Sequence, residues 1–216
     1  QIFLQSDLFN ANQRPAVDVG ISVSRVGGAA QTKALKKVSG TLKISLAQYR
    51  SLESFAMFAS DLDAASKAQL TRGARLMELL KQPQFSPFSS EQEVVSIWTG
   101  THGKLDDLDL SDVLPFERGL LDYVDHNTDI LKVIRETGDF TDETEKKLDD
   151  AVEAFRKTYV RRDGTPLVNM KTAAAEPTEV EQEVISARRT SDRTDPADSS
   201  NSRRRGREGK PGRKAE

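Results

Sequence analysis

The sequence predicts a mainly α-helical fold, in which a short strand and loop come first, a helical bundle follows and a disordered tail ends the chain. Three observations support this prediction. The first four residues resemble a strand, and apolar residues recur at steps of three and four from about residue 30 to 160. From Lys171 onward almost no large apolar residue occurs, so that segment buries too little surface to offset its ordering entropy. We expect three segments, 1–29, 30–165 and 166–216.

The first segment is expected to hold a short strand, a turn of helix and a loop punctuated by proline and glycine. Gln1–Leu4 is strand-like, with no initiator methionine and no cap or turn before it. Because a buried strand needs neighbours on both sides, we expect the chain to be part of a longer protein. A short helix is predicted around Asp7–Asn10, and Arg14-Pro15 requires an extended or turn geometry before the proline.

The second segment begins with a long amphipathic helix that starts near Gln31. One face of it carries the apolar residues Leu35, Val38, Leu42, Leu46, Tyr49, Leu52, Ala56 and Ala59. Gly40 weakens this helix locally. A break at Ser60–Asp63 predicts the tip of a helix-turn-helix. The apolar pattern then resumes in a second helix with Leu70, Ala74, Met77 and Leu80.

Capping patterns and glycines predict the next helix of the bundle. Ser90 and Glu93 have the spacing of a capping box, in which each side chain satisfies a free backbone N–H at the start of a helix. The helix that they open is expected to run through Trp98. Gly100 and Gly103 are expected to close it, since glycine weakens a helix and favours its end.

Two further helices are predicted in the second half of the bundle. Pro115 suits the first turn of a helix, where its missing N–H has no partner to lose. The apolar residues of that helix are Phe116, Leu120, Tyr123, Ile130 and Ile134, and Gly138 is expected to stop it. Thr141 is a predicted N-cap for the last helix, with Asp142 and Glu143 in its first turn. The buried stripe of this helix is predicted to be Leu148, Val152, Phe155 and Tyr159.

Composition and motifs exclude several classes of function. The 216 residues include no cysteine, which excludes disulfides and thiolate chemistry. No apolar run approaches the roughly 18 residues that span a bilayer, so membrane association would come through partners. No GxxxxGK[ST], GxGxxG, HExxH or EF-hand pattern occurs. Neither His102 nor His126 has a ligand-like neighbour, and no metal site is predicted. The acidic pairs Asp106-Asp107 and Asp149-Asp150 are interpreted as solvated surface.

The most informative stretch is Ser22–Gln31, with the sequence SVSRVGGAAQ. Arg25 lies between small residues in this stretch, and its permanently charged, planar guanidinium suits phosphate oxygens. Gly27 and Gly28 allow the backbone to turn or to be approached closely. A purely structural arginine beside two glycines is the alternative that the residues alone leave open.

This stretch, together with Phe9–Ile21 before it, resembles the alpha subunit of F-type rotary ATP synthases. The resemblance runs with hardly a gap from Gln1 to about Gln84 and continues more loosely to about Tyr159. It implies that the first segment ends a P-loop-type α/β nucleotide-binding domain and that the second is a C-terminal helical domain. The polar and basic tail resembles those of actinobacterial alpha subunits.

The resemblance implies roles for six residues. Arg25 would act in trans as an arginine finger that stabilises the transferring phosphoryl group in the catalytic site of a beta subunit. Ser22 would be required for activity, and a hydroxyl at this position can orient the loop by hydrogen bonding to backbone. The adenine side of a non-catalytic, regulatory nucleotide site is implied for Arg14, Pro15, Gln82 and Gln84, since amide groups both donate and accept.

The resemblance also implies the setting in which the chain works. The complex makes ATP from ADP and phosphate with a transmembrane proton gradient, at the cytoplasmic face of a bacterial plasma membrane. The implied partners are beta subunits in an alternating hexamer, gamma through the Asp61–Ser66 tip, and delta and epsilon, with no direct nucleic-acid contact. ATP or ADP with Mg²⁺ is the implied cofactor of the intact subunit. Because this sequence lacks a phosphate-binding loop, the chain alone is expected to be inactive and to bind no ATP.

The alternative is a stand-alone helical module that binds protein or nucleic acid through a basic C-terminal arm. Arg203–Arg207, with three further basic residues after it, favours this hypothesis. Such a module does not explain the strand-like start or the Ser22–Gln31 stretch. The reading frame upstream of Gln1 separates the two hypotheses, because a P-loop there supports the synthase.

Overall fold

The computed structural model describes residues 1–56 and 62–167, with the backbone alone for 54–56. These residues form eight helices, of which the last six supply one apolar core, so the mainly helical fold is confirmed. The helices are α1 (Ser6–Asn10), α2 (Gly27–Ala30), α3 (Lys33–Ala56), α4 (Ala64–Leu79), α5 (Ser90–Thr101), α6 (Leu110–Asn127), α7 (Ile130–Thr137) and α8 (Asp142–Thr158). The predicted tail lies outside the described residues from 168 onward. The three-segment division stays a prediction.

The start of the chain forms a single bridge where a short strand is predicted. Leu4 and Val17 make an isolated antiparallel bridge, and the Asp18 N–H donates to the Phe3 carbonyl over 2.9 Å. Residues 1–56 and 62–167 contain no strand of several residues. At the start of the chain, the pairing stops because α1 begins at Ser6. Helix α1 itself is the predicted turn of helix.

Helix α3 buries the middle of the predicted face, with one addition at its start, while Tyr49 and Leu52 are partly buried and Ala59 lies outside the described residues. Its fully buried side chains are Ala34, Val38, Leu42 and Leu46. Leu35 is only partly buried against this core. The Ala34 N–H donates to the carbonyl of Gly138 over 3.0 Å, which holds the start of α3 against the end of α7. This contact between distant residues brings Ala34 into the core.

Helix α4 is rotated relative to its predicted stripe. The predicted residues are only partly buried, namely Leu70, Ala74, Met77 and Leu80. The fully buried apolar positions are instead Gly73, Leu76 and Leu79. A Cβ at Gly73 would overlap the ring of Tyr49 on α3, so the glycine permits a close approach of the two helices. That approach determines which face of α4 is buried.

The capping box of α5 lies one residue earlier than predicted. Ser89 is the N-cap, and its N–H donates to Gln92 Oε1 at 3.0 Å. Ser90 and Glu93 lie inside the first turn. The pairs Ser89–Gln92 and Ser90–Glu93 both have the spacing of a capping box. Ser89 has the extended backbone of an N-cap, with φ −74° and ψ 156°.

Gly100 does not close α5, contrary to the prediction. It lies within the helix, where a Cβ would come within 2.7 Å of Leu76 Cδ2 on α4. Its role is therefore close packing between two helices. Gly103, at φ +73°, follows the end of the helix and provides the left-handed turn there.

Pro115 lies in the second turn of α6, where the sequence predicts the first. The helix begins at Leu110 after the N-cap Asp109, so the proline is inside it. The missing N–H leaves the carbonyl of Ser111 without its usual helical donor. Pro115 and Ser111 are both exposed, so water reaches that carbonyl.

The single helix predicted up to Gly138 is two helices, α6 and α7. Thr128 separates them, because its Oγ1 donates to the Val124 carbonyl at 2.6 Å and accepts from the Ile130 N–H at 3.3 Å. These side-chain bonds replace the helical backbone pattern. Gly138 ends α7 in the left-handed conformation, with φ 63°, as predicted.

Helix α8 has the predicted cap and stripe. The Thr144 N–H donates to Thr141 Oγ1 over 3.3 Å, and acidic residues fill the first turn. Leu148 and Val152 are fully buried. Phe155 and Tyr159 pack edge-on against the Phe116 ring of α6, and the ring centroids lie 5.1 and 4.9 Å apart.

A junction of polar side chains joins α3, α5 and the start of α8. Lys37 Nζ donates to Glu145 Oε2 at 2.7 Å, to Asp142 Oδ1 at 3.0 Å and to the Phe140 carbonyl at 3.2 Å. Trp98 Nε1 donates to the other Glu145 oxygen at 3.0 Å. The Lys37 ammonium, ahead of Trp98, keeps the pKa of Glu145 below its ordinary value.

Three acidic residues interpreted as solvated surface are ion-paired and partly buried. The pairs, each with an N to O distance of 2.5 or 2.6 Å, are Asp106–Arg72, Asp107–Arg156 and Asp149–Lys104. They tie the loop between α5 and α6 to α4 and α8. The sequence interpretation misses them because the partners of Asp106 and Asp107 lie 34 and 49 residues away.

Candidate functional site

Arg25 lies on an exposed stretch whose backbone is fixed on both sides. Before it, Ser22 Oγ accepts the N–H of Phe3 at 3.1 Å. After it, the Gly27 N–H donates to Ser24 Oγ at 2.9 Å, where the short helix α2 begins. Arg25 is itself exposed, and no described residue hydrogen-bonds to its guanidinium or pairs with it. The arrangement presents a positive charge outward from an ordered backbone.

Ser22 makes a backbone hydrogen bond of the kind expected for it. The Phe3 N–H that it accepts belongs to the segment that pairs with residues 16–18. The Ser22 N–H donates in turn to the Asp18 carbonyl at 3.1 Å. Ser22 therefore ties the Arg25 stretch to the first residues of the chain and to the turn before it.

Asp18 is a site residue that sequence reasoning missed. Its side chain is almost fully buried, and Oδ1 accepts the N–H groups of Gly20 at 2.7 Å and Ile21 at 3.3 Å. The hydrogen bond from Arg50 is the main cause that lowers the pKa of Asp18. An aspartate two residues before a glycine predicts a turn of this kind, so the sequence contains a signal for Asp18. No local signal indicates Arg50, which lies 32 residues away.

A second group joins two loops that are distant in sequence. The Gln82 N–H donates to the Arg14 carbonyl at 2.8 Å, which places Gln82 beside Arg14 and Pro15. The Arg14 guanidinium lies 4.4 Å from the centroid of the Phe9 ring. Three of the four residues predicted for the adenine side therefore come together. Gln84 follows two residues after Gln82 and is exposed.

The second group offers hydrogen-bonding groups suited to the edge of a neutral heterocycle. Gln82 Nε2 donates to the Ser86 carbonyl at 2.8 Å, which orders the loop. No bond within the described residues uses Gln82 Oε1 or the Gln84 amide. These amides can donate and accept. Residues 1–56 and 62–167 contain no group of three or more His, Asp or Glu side chains placed to hold a metal ion.

No described hydrogen bond or ion pair joins Arg25 to the Arg14–Gln82 group. Of the predicted Asp61–Ser66 tip, Asp61 lies outside the described residues. Asp63 is the N-cap of α4 and accepts the Ser66 N–H at 2.7 Å. Hydrogen bonds from the Ser66 side chain and backbone lower the pKa of Asp63.

Across the described ranges, no helix is both long enough and apolar enough to cross a membrane.

Comparison with known families defines the class to which the helical bundle belongs. Residues 31–155 match the family described as ATP synthase alpha/beta chain, C terminal domain. The matched range starts just before α3 and ends within α8. The match covers more than half of the chain, which therefore belongs to this family.

Curated relatives narrow the comparison to one kind of subunit. The chain is 80% identical over 187 residues to the ATP synthase subunit alpha of Bifidobacterium adolescentis, which is 87% of this chain and 34% of that protein. The same subunit of Clavibacter michiganensis subsp. michiganensis is 61% identical over 181 residues, 84% of this chain and 33% of the relative. The alpha subunit of Leifsonia xyli subsp. xyli is 66% identical over 167 residues, which is 77% of this chain and 31% of that protein.

The chain spans about a third of the length of the curated relatives it matches. The prediction of a C-terminal portion of an alpha subunit, close to actinobacterial versions, is confirmed. The alternative of a stand-alone helical module is not supported, because the bundle itself is the matched domain. Its basic arm at 203–214 lies outside the described residues.

Proposed function

We propose that this chain supplies Arg25 in trans to the catalytic site of a neighbouring beta subunit in an F-type ATP synthase. The observation that carries the proposal is the exposed Arg25 between two backbone-fixing hydrogen bonds, from Phe3 to Ser22 and from Gly27 to Ser24. The 80% identity to an ATP synthase subunit alpha supports it. The complex makes ATP from ADP and phosphate with a proton gradient, at the cytoplasmic face of the plasma membrane.

The exposed position of Arg25 suits the chemistry of a trans arginine. A guanidinium with no carboxylate partner among the described residues is available to the phosphoryl group, on which negative charge spreads during transfer. Its planar fork forms two parallel hydrogen bonds to phosphate oxygens, which a lysine does not. A fixed backbone on both sides limits the ordering entropy at the moment of contact. Ser22 contributes by fixing the backbone and not by contact with phosphate.

The Arg14–Gln82 group is proposed to bind the adenine of a non-catalytic nucleotide in the intact subunit. The backbone bond between Gln82 and Arg14 supports this proposal, since it brings the predicted residues into one surface. Gln82 and Gln84 would offer amide groups to the adenine edge, and Pro15 an apolar side. ATP or ADP with Mg²⁺ is the proposed ligand. The metal and phosphate contacts would come from other parts of the subunit, since no metal-holding group occurs in the described ranges.

The proposed partners follow from the same assignment. Beta subunits would alternate with copies of this subunit in a hexamer, gamma would contact the Asp61–Ser66 tip, and delta and epsilon would complete the complex. The capped start of α4 at Asp63 gives the described part of the tip a defined backbone, which suits a contact surface. Membrane attachment would come through the complex.

Replacing Arg25 by lysine tests the proposal. In the assembled complex, we expect Arg25→Lys to lower steady-state ATP hydrolysis by about 10³-fold, because lysine keeps the charge and loses the fork. Assembly and nucleotide binding should be retained. Arg118→Lys is the matched control, since Arg118 is an exposed arginine on α6. Near-normal hydrolysis by the Arg25→Lys complex would overturn the proposal.

A further inference from the structure

A largely buried ion pair joins the turn before Arg25 to helix α3. Arg50 NH1 lies 2.7 Å from Asp18 Oδ1, and the two side chains are 34% and 9% exposed. The same oxygen accepts the N–H groups of Gly20 and Ile21. Asp18 Oδ1 therefore accepts hydrogen bonds from one side chain of α3 and from two backbone N–H groups of the turn.

Gly20 is matched to this pair. A Cβ at Gly20 would lie 2.8 Å from Arg50 NH1 and 3.2 Å from Asp18 Oδ1. A Cβ here would require the Arg50 guanidinium to shift, whereas the backbone angle places no demand on the residue, since φ of Gly20 lies outside the left-handed region. Asp18, Gly20 and Arg50 thus form one fitted unit, which we name the α3 anchor.

The α3 anchor leads directly into the stretch that carries Arg25. The Ser22 N–H donates to the Asp18 carbonyl at 3.1 Å, so the turn that Asp18 organises continues to Ser22. Arg50 lies in the last two turns of the described part of α3. No other described ion pair links residues 1–30 to the helical bundle. The Gln82–Arg14 backbone bond holds the earlier loop to the bundle, and Val19 packs against its core. The Asp18–Arg50 pair adds the side-chain contact that fixes the turn before Arg25 on α3.

We propose that Asp18 and Arg50 are positioning residues, which hold the Arg25 stretch on α3 in the orientation that transfer of its charge to a neighbouring subunit requires. This inference rests on the proposed function of Arg25. Neither residue contacts the reacting atoms, because Asp18 is buried and Arg50 is bonded to it. A movement of the loop by about 1 Å would lower turnover by about 10²-fold without removing the arginine.

Turnover by three anchor variants tests the proposal in the assembled complex. Asp18→Ala, Arg50→Ala and Gly20→Ala should each lower kcat for ATP hydrolysis by about 10²-fold, with KM for ATP unchanged. Arg50→Lys should recover part of the loss, because it restores a charge opposite Asp18. Lys33→Ala is the matched control, since this lysine also lies on α3 and its pair with Asp139 is long, at 3.8 Å, and exposed. Normal kcat in all three anchor variants would overturn the proposal.

A double variant separates positioning from a general structural role. If the anchor acts through Arg25, adding Arg50→Ala to Arg25→Ala should lower kcat no further. An additional fall as large as that of the single variant would overturn the proposal, as would failure of all three anchor variants to assemble. Unchanged hydrolysis by Arg25→Ala alone would instead overturn the proposed function. If Arg25→Ala lowers kcat and the three anchor variants keep a normal kcat, the proposed function of Arg25 is supported and the positioning role of the α3 anchor is overturned.

Discussion

Two glycines inside helices of the bundle have opposite surroundings. Gly73 on α4 is buried against Tyr49 of α3, and a Cβ there would overlap the ring. Gly40 on α3 is exposed, and a Cβ there would meet nothing within 4 Å. Glycine in a helix interior costs about 0.5–1 kcal/mol relative to alanine. That cost is offset at Gly73 by close helix packing and is not offset at Gly40.

Alanine at these two glycines should therefore have effects of opposite sign on stability. We expect Gly73→Ala to lower the free energy of unfolding by about 1–3 kcal/mol, because the added methyl group forces α3 and α4 apart. Gly40→Ala should raise it by about 0.5–1 kcal/mol. Urea unfolding of the chain, followed by far-ultraviolet circular dichroism, measures both. Equal effects of the two substitutions would contradict the packing role of Gly73.

At the scale of elements, α5 and α6 meet through a buried carboxyl group. Glu117 on α6 is 4% exposed and hydrogen-bonds with Ser96 Oγ of α5. Burial is the main cause that raises the pKa of Glu117, and the Ser96 bond opposes it. Because the charged form is disfavoured in the folded state, this contact makes the stability of the bundle depend on pH.

The direction of that dependence follows from the raised pKa of Glu117. Its protonated form stabilises the fold fully below the pKa of the unfolded chain, about 4.3, and this contribution is lost as pH rises through the folded pKa. We expect Glu117→Gln to raise the melting temperature at pH 7 and to flatten its fall above about pH 4.3. Glu136→Gln, at an exposed position on α7, is the control. A lower melting temperature for Glu117→Gln at pH 7 would contradict this account.

Helix spacing and caps predict much of this architecture, and contacts between helices decide the rest. Steps of three and four residues place Val38, Leu42 and Leu46 on one face without knowledge of any partner. The rotation of α4 depends on Gly73 meeting Tyr49, which no local pattern shows. Arg25 is visible in sequence because it interrupts a run of small residues. Its anchor residue Arg50 is not, because its partner is 32 residues away.

At the scale of the whole molecule, the sequence contains the Arg14–Gln82 group proposed to bind adenine but no P-loop motif for phosphate. The Arg14–Gln82 group offers amides and a guanidinium, whereas none of the 216 residues form a GxxxxGK[ST] motif. Phosphate recognition in P-loop proteins depends on the backbone N–H groups and lysine of that motif. The proposed adenine contacts alone would provide few charge-assisted bonds.

The 216-residue chain alone should therefore show no saturable binding of MgATP by titration calorimetry. The same titration with a longer alpha subunit that includes a P-loop is the positive control. A micromolar dissociation constant for the chain alone, equivalent to about −8 kcal/mol, would show that its own residues suffice for nucleotide binding. The chain should still give a helical circular dichroism spectrum, because its bundle has an apolar core of its own.

The junction of Lys37 with Glu145 sets an order of events during protein synthesis. The two residues are 108 positions apart, so at about 5–20 residues per second the ribosome makes the acceptor about 5–20 s after the donor. Helices α4 and α5, the main partners of α3, are made within that interval, whereas the start of α3 still lacks its contacts with Gly138 and with α8. Long-range contacts of this kind close late. The first helix of the bundle is thus among the last to be fully enclosed, once α8 has left the exit tunnel.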